Sequence, residues 1–353
     1  MAVIGIGCIT GRHDADPVGV TFHDSAPSDQ FLLDLKTVCG IDFGSSEMPR
    51  LAVLDAPKIE ALVTQTEIFE DEYRLWRALG FIDLSRQQFT EQRMREVRSL
   101  KAFYEPKSNL VWIREGETPV ALRLVLAHEL THAWRILEGV VDDHESWDEW
   151  WSPESAIAFR AGEEGIAIAC ARAYFAQLSD SEQWAWHEEQ SDYGSDEVDP
   201  YGDTEPFYAR AHGWVNVLGP EFIESRSQSL PVLARSSTLV KSTAELLGKS
   251  ATVAQTRVDL GPLALREALV WSGVSWQNAE AIAMGVVEDE LQWRSQQGNS
   301  ECLRVAIRYT EPDLATGRFL TAREALERWS RFLGAEVQES RDGFFVMDSC
   351  IAE

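Results

Sequence analysis

The residues of this chain best suited to chemistry form one pentapeptide, His128-Glu129-Leu130-Thr131-His132. Four residues turn a helix by about 400°, so both imidazoles lie on one face and can reach a single metal ion. Glu129 lies about 100° round the helix, where its carboxylate can activate a water molecule on that ion. The pattern indicates metal-assisted hydrolysis, with zinc as the expected ion.

The surrounding residues predict a helix that is buried on most of its surface. Thr118-Pro119 is typical of an N-cap followed by a proline at the first helical position, and Gly139 is typical of a helix end. The run 120–138 between them is apolar nearly all round, as expected of a helix inside a core.

Polar side chains in such a helix need partners. Two imidazoles and a carboxylate are costly in a core unless something pairs with them, and one metal ion would satisfy all three. In the alternative, the histidines bond to carbonyl groups and Glu129 pairs with Arg123 or Arg135.

A zinc site needs a third protein ligand, and the next predicted helix can supply it. That helix runs from Ser152-Pro153 to about Leu178 and contains two adjacent glutamates. Glu164 is the predicted ligand, and Glu163 is predicted to hydrogen-bond a histidine beside the metal. The reverse choice of glutamate stays open, as does a simple acidic pair on a helix surface.

Two glycines flank these glutamates, at positions 162 and 165. Glycine inside a helix costs about 1 kcal/mol relative to alanine. That cost is tolerated where another backbone must come close, as a second helix must to deliver a short carboxylate to a shared metal. The glycines therefore predict a tightly packed helix pair at the site.

At this point the chain resembles a gluzincin-type zinc metallopeptidase, of the thermolysin-like HExxH…E kind. It looks like a member of the bacterial branch with HELTH on one helix and Glu-Gly on the next. Further segments resemble that branch: 102–107 ahead of a strand at 109–113, 206–208 through 212–214, 242–247 and 259–263. The similar segments lie between about Phe69 and Phe332, which is most of the chain.

The resemblance implies a zinc-dependent peptidase acting on a peptide or protein substrate. Three ligands are implied: His128, His132 and Glu164. Glu129 is the implied base, and Tyr208 or His212 is the implied donor to the oxyanion. The strand Asn109–Ile113 is expected to border the cleft and to pair with an extended substrate by edge addition. No further cofactor is expected.

Two other functions stay open. One is a catalytically silent relative that keeps the fold as a binding protein, and the other is a zinc amidohydrolase with a non-peptide substrate. Retention of both histidines, Glu129 and Glu164 favours an enzyme, because a binding protein has no need to keep a costly buried polar cluster.

Composition indicates a folded globular protein, with 44% hydrophobic residues, 13 Trp and 15 Phe. A formal net charge of −26 argues against nucleic-acid and anionic-membrane partners. No segment is long enough to span a membrane. Acidic runs at 142–149 and 188–203 are predicted to be solvated loops, with calcium binding or a bias towards basic substrates as the alternatives.

We predict an α+β fold, with a mainly helical zincin-like core, a short mixed sheet and a small C-terminal βαββ module. The predicted domains are an irregular lead-in at 1–55, a catalytic domain at 56–295 and the module at 296–353. The module is predicted to contain a strand, a helix and a hairpin, at 302–309, 321–333, 335–340 and 343–347.

Cysteine spacing and the N-terminus leave the compartment open. The five cysteines fit no metal-binding spacing, but a disulfide between Cys302 and Cys350 is geometrically possible because they begin and end predicted strands. Met1 to Cys8 has a short apolar stretch without a basic region. The chain is therefore expected to be cytoplasmic as written, or an extracytoplasmic lipoprotein if its start is truncated. Its oligomeric state is not predicted.

Overall fold

A computed structural model describes fourteen stretches of the chain. They are 21–22, 27–44, 47–55, 57–58, 68–82, 85–91, 100–141, 153–193, 207–237, 239–248, 259–295, 301–309, 318–340 and 344–351. The helices are α1 (Asp29–Cys39), α2 (Ile68–Ala78), α3 (Pro119–Leu137), α4 (Pro153–Phe175), α5 (Asp180–Tyr193), α6 (Phe207–Ser225), α7 (Leu230–Leu233), α8 (Thr243–Leu246), α9 (Gly261–Trp271), α10 (Trp276–Ala283) and α11 (Arg318–Phe332). The strands are β1 (Thr21–Phe22), β2 (Arg50–Leu54), β3 (Ala102–Glu105), β4 (Leu110–Arg114), β5 (Val286–Ser295), β6 (Glu301–Tyr309), β7 (Gln338–Glu339) and β8 (Phe344–Ile351).

These elements make a mixed α and β structure, and within the described stretches the strands form two four-stranded sheets. The first sheet has the order β1-β2-β4-β3, in which β2 and β4 are parallel and the outer pairs are antiparallel. Helix α3 packs against β3, and α4 packs against both α3 and α6. One hydrophobic cluster joins α1, this sheet, α3 and α4, so the predicted metal-binding helices lie in a core.

Helix α3 begins and ends close to where the sequence predicts. The Thr118 side chain accepts a hydrogen bond from the Ala121 amide at 3.2 Å, and Pro119 occupies the first turn. Gly139 follows the last turn with a φ of 65°, a left-handed conformation that glycine adopts without strain. The cap, the proline and the glycine thus set these bounds locally.

The structure departs from the predicted irregular lead-in at residues 29–39 and 50–54, which form α1 and β2. Helix α1 is capped by Ser28 and buries Phe31, Leu35 and Cys39, which are spaced four apart on one face. Strand β2 pairs with β4, its neighbour in the middle of the first sheet. Both elements are short, so their apolar patterns are weak until tertiary contacts supply the partner surface.

The C-terminal region has a strand, a helix and two paired strands in the predicted order, namely β6, α11, β7 and β8, and its strands belong to the second sheet. Strands β6, β8 and β7 are antiparallel neighbours, and β8 and β7 form the hairpin. Cys302 lies opposite Cys350 in this pairing, and the two form a disulfide. Strand β5 adds a fourth strand from before residue 296, so the sheet extends across the predicted domain boundary. The domain division itself stays a prediction.

The predicted acidic loops fall mostly on residues that the structure does not describe. The run 142–149 and the segment 194–203 lie outside the described residues. Residues 188–193 belong to α5, so this part of the second run is helical and not a loop. Helix α5 packs against α3, and the contact between Thr118 Oγ1 and Glu189 Oε2 at 2.6 Å joins them.

Two buried carboxylates, Glu154 of α4 and Asp289 of β5, accept hydrogen bonds from α8 and from the start of α9. Glu154, in the first turn of α4, accepts hydrogen bonds from the Thr243 amide at 2.7 Å and from the Thr243 hydroxyl. Asp289, on β5, accepts hydrogen bonds from the Leu260 and Gly261 amides at 3.1 and 3.0 Å. A methyl group at Gly261 would lie 2.0 Å from Glu154 Oε2, so only glycine fits between the two carboxylates.

This arrangement predicts that the stability of the protein falls as the pH rises from 4.5 to about 8. Burial, together with the nearby charges of Asp259 and Asp289, raises the pKa of Glu154 from 4.5 to about 8 despite the Thr243 hydrogen bonds. Between these values the unfolded chain releases the proton while the folded protein keeps it. The contribution of Glu154 to stability is therefore complete below pH 4.5 and is lost as the pH rises to about 8.

We expect Glu154→Gln to weaken the fall in unfolding free energy between pH 5 and pH 8, as measured by urea denaturation. Glu327→Gln, which removes a surface carboxylate of α11, is the matched control and should leave the slope unchanged. Equal slopes in the parent and in Glu154→Gln would contradict the prediction.

Candidate metal centre

The two motif histidines face the same point from helix α3. His128 and His132 are both buried, and their Nε2 atoms lie 2.9 Å apart. The short distance shows that the same nitrogen of each ring faces the shared point, and the two ring planes are inclined by 66°. The spacing of four residues therefore places both imidazoles on one face of α3, as the helical period predicts.

Glu164 of α4 completes the group. Its Oε2 lies 3.2 Å from His128 Nε2, and its Oε1 lies 3.8 Å from His132 Nε2. Two atoms that bind zinc at about 2.1 Å and a tetrahedral angle lie roughly 3.4 Å apart, which is close to these separations. Within the described stretches these three residues are the one group of histidine, cysteine and acidic side chains that could share a metal ion.

Unsatisfied polar atoms support the same fit. Glu164 is 6% exposed, and its buried Oε2 accepts no hydrogen bond of normal geometry from any described residue. Buried polar atoms nearly always have a partner, so an unsatisfied carboxylate oxygen beside the Nε2 atoms of two imidazoles favours an ion there. The donor set of two imidazoles and one carboxylate is a set that zinc binds.

The charges of the three groups depend strongly on one another. Burial alone would raise the pKa of Glu164, but the two facing imidazoles outweigh it and hold that pKa at about 2. Burial lowers the pKa of His128. Burial also acts to lower the pKa of His132, but Glu164, Glu129 and Glu163 outweigh it and raise that value. The carboxylate is thus ready to bind a cation.

Glu129 is the least compensated polar group of the site. It is 0% exposed, and neither of its oxygens accepts a hydrogen bond of normal geometry from a described residue. Burial and the charge of Glu164 raise its pKa from 4.5 to about 8, against the opposing effects of His132 and of the nearby Tyr104 amide. A carboxylate in this state is a strong proton acceptor, since its charge is poorly stabilised where it lies.

The alternative without metal does not match the contacts of this site. Arg123 pairs with Glu182 on α5 at 2.6 Å, and Arg135 pairs with Glu163 on α4 at 2.7 Å. Neither arginine therefore neutralises Glu129, contrary to that alternative.

The predicted role of Glu163 is wrong. It was expected to hydrogen-bond a histidine, but its two oxygens accept the Nε and Nη2 hydrogens of Arg135 at 2.8 and 2.7 Å. Successive residues of a helix point about 100° apart, so only one of the two glutamates can face the histidines. Arg135 was considered from the sequence only as a partner for Glu129. Its position one turn after His132 was the signal that could have identified its real partner.

Gly165 of α4 does allow another backbone to come close, but that backbone belongs to α6, whereas Gly162 faces Leu239 and Val240. A methyl group at Gly165 would lie 2.6 Å from the carbonyl carbon of Gly219, and one at Gly219 would lie 2.2 Å from the Ala161 oxygen. Gly165 lies about 100° round α4 from Glu164, so this tight contact fixes the separation of α4 from α6 on a face next to the one that bears the predicted ligand.

We expect Gly165→Ala to lower the unfolding free energy by about 1–3 kcal/mol, because the added methyl group meets backbone that cannot move aside. Gly162→Ala is the control on the same helix. Its methyl group would lie 3.0 Å from Leu239 Cβ, a contact that a shift of a few tenths of an ångström relieves, and alanine favours the helix. Urea denaturation checks both, and equal losses in the two variants would contradict the expectation.

The strand predicted to pair with substrate is not at the sheet edge. Strand β4, which contains Leu110–Ile113, lies between β2 and β3 and hydrogen-bonds with both. The outer strand beside α3 is β3, from Ala102 to Glu105. The sequence correctly predicted a strand just before α3. The position of that strand in the sheet, however, depends on which distant segment pairs with it, and here that segment is β2.

The structure describes the helix that contains the predicted oxyanion donors but not their side chains. Tyr208 and His212 both belong to α6, which packs against α4. Their side chains lie outside the described part of the structure. Positions 208, 212 and 219 share one face of α6 by helical periodicity, and Gly219 on that face contacts α4. Their role as donors stays a prediction.

Comparison with known proteins adds no relative. No protein-family model, curated protein or solved structure matched the chain when it was compared with each. Among the described helices, none is both long enough and apolar enough to cross a bilayer. The site therefore has to be interpreted from its own geometry and chemistry.

Proposed function

We propose that the protein is a zinc-dependent hydrolase that cleaves peptide bonds. One observation carries the proposal: Glu129 is completely buried, accepts no hydrogen bond of normal geometry from a described residue and lies beside a convergent His128–His132–Glu164 group. A structural role gives no reason to keep an uncompensated carboxylate there, whereas hydrolysis needs one.

His128, His132 and Glu164 would hold the metal ion. When bound, zinc supplies a Lewis acid that polarises the substrate carbonyl and makes an attacking water more acidic. Glu129 follows His128 directly on α3, so its carboxylate lies next to the ligands without being one of them. It would accept the proton of the attacking water and then deliver it to the leaving amine.

Strand β3 is the proposed partner of an extended peptide. It is the outer strand of the first sheet on the side of α3, and the Tyr104 backbone lies near Glu129. Edge addition would place the scissile bond beside this carboxylate. Tyr208 or His212 of α6 is the proposed donor to the oxyanion. The zincin-like character of the core belongs to this same proposal.

Two other functions use the same site differently. A silent binding protein would keep the metal but hydrolyse nothing, and a zinc amidohydrolase would cleave a non-peptide amide. The buried base at Glu129 favours an enzyme over the first, and the outer strand β3 favours a peptide over the second.

The direct test is elemental analysis of the purified protein together with cleavage of a peptide library. We expect about one equivalent of zinc and cleavage that a chelator abolishes and added zinc restores. Protein that holds zinc but cleaves no peptide would contradict the peptidase. Protein that holds no metal after incubation with zinc would contradict the site itself.

A further inference from the structure

The guanidinium of Arg135 is fully buried and joins three segments of the chain. It donates to both oxygens of Glu163 on α4, at 2.8 and 2.7 Å. It also donates to the carbonyl oxygens of Ala234 and Ser236, which follow α7. Arg135 is 0% exposed, and Glu163 is 5% exposed. The ion pair is therefore bidentate and buried, and two backbone carbonyl groups accept further hydrogen bonds from its guanidinium.

The position of this pair relative to the metal ligands is informative. Arg135 follows His132 by three residues on α3, and Glu163 precedes Glu164 on α4. The ion pair thus bridges the two ligand-bearing helices within one turn of the predicted ligands. Burying two charges is costly, and replacing such a pair by apolar residues often leaves a protein as stable or more so. Stability alone is a weak reason for the pair to exist here.

We propose that Arg135 and Glu163 are positioning residues that set the rotation of α4 and thereby point Glu164 at the two imidazoles. Because adjacent helical residues differ by about 100°, holding the Glu163 carboxylate on Arg135 turns Glu164 towards the histidines. The Gly165–Gly219 contact holds α4 close to α6 and so limits how far α4 can shift. The inference rests on the metal-binding half of the proposed function and not on peptide hydrolysis.

The planar fork of arginine suits this task. Two parallel hydrogen bonds to a carboxylate restrain its orientation as well as its distance, which a single contact does not. Two further bonds to carbonyl groups restrain the guanidinium in turn. Groups that orient ligands without touching the metal typically change metal affinity by about 10- to 100-fold when they are mutated.

The test is a titration of the full chain with Co²⁺, whose visible absorption reports coordination geometry. We expect Glu163→Gln to weaken Co²⁺ affinity by about 10- to 100-fold and to change the absorption spectrum. Glu182→Gln is the matched control, because Arg123–Glu182 is also an arginine–glutamate pair that starts on α3 but ends on α5. Its affinity and spectrum should equal those of the parent.

A second variant covers the case in which Glu163→Gln fails to fold because it leaves a buried guanidinium without its counter-charge. Arg135→Met combined with Glu163→Leu removes both charges while keeping similar volumes. We expect this double variant to fold and to show the same weakened affinity and altered spectrum.

The possible results separate the positioning role of Arg135 and Glu163 from the metal site and from the hydrolase. Parental affinity and spectrum in a folded variant would overturn the positioning role. Failure of the double variant to fold would also overturn it, since the pair would then support the fold as a whole. Absence of Co²⁺ binding by the parent would overturn both this inference and the proposed metal site. Co²⁺ binding by a parent that cleaves no peptide would leave the inference standing and would contradict only the hydrolase.

Discussion

Glu129→Gln is expected to keep the metal and to lower kcat for peptide hydrolysis by about 10²- to 10⁴-fold. Glutamine keeps the shape of the side chain but cannot accept a proton from water. Because proton transfer occurs on the way to the transition state, kcat and kcat/KM should fall together while KM changes little. Steady-state kinetics on a cleaved peptide, with zinc content measured on the same sample, checks both parts.

The unfolding free energy of Glu129→Gln shows whether a loss of activity reflects a loss of folded protein. Burial raises the pKa of Glu129 to about 8, so removing its ionisable group should not destabilise the metal-free protein near neutral pH. Glu138→Gln, at the exposed end of the same helix, is the matched control and should keep full activity. Glu129→Gln that retains both metal and parental kcat would show that this carboxylate is not the base.

His128→Ala is expected to abolish metal binding and, with it, the stabilisation that zinc provides. A ligand present at a thousand times its Kd stabilises a folded protein by about 4 kcal/mol. The parent should therefore unfold at a higher temperature when zinc is added, and His128→Ala should not. The reason is geometric, since the imidazole supplies one of the three atoms that converge on the site. Thermal denaturation with and without zinc measures the difference.

His187→Ala is the control for this prediction, because His187 is an exposed histidine on α5 with an edge-on contact to Phe175. It should respond to zinc as the parent does. An equal thermal shift in His128→Ala and in the parent would mean that zinc binds elsewhere, and the site would have to be abandoned.

The helical parts of the site could be predicted because they depend on residues close together in the chain. A cap at Thr118, a proline at position 119 and a glycine at 139 determine where α3 begins and ends. The period of 3.6 residues then determines that His128 and His132 share a face. The same local logic predicts α4.

Other features depended on distant partners. The orientation of Glu163 was decided by Arg135, 28 residues earlier, and by carbonyl groups about a hundred residues beyond that arginine. The close approach to Gly165 comes from Gly219 on α6. Strand β4 lies inside its sheet only because β2, about sixty residues earlier in the chain, pairs with it in parallel. No local pattern distinguishes an inner strand of this kind from an outer one.

By itself, the sequence determined that two imidazoles and a carboxylate lie on neighbouring arcs of one helix, since helical geometry needs only local hydrogen bonds. It also determined that an acidic pair follows on the next helix. Only the tertiary structure decided which of those glutamates faces the histidines, which strand lies beside α3 and which backbone packs against α4. Those choices are made by packing and charge pairing between segments far apart in the chain, where each partner is favourable only once the other is in place.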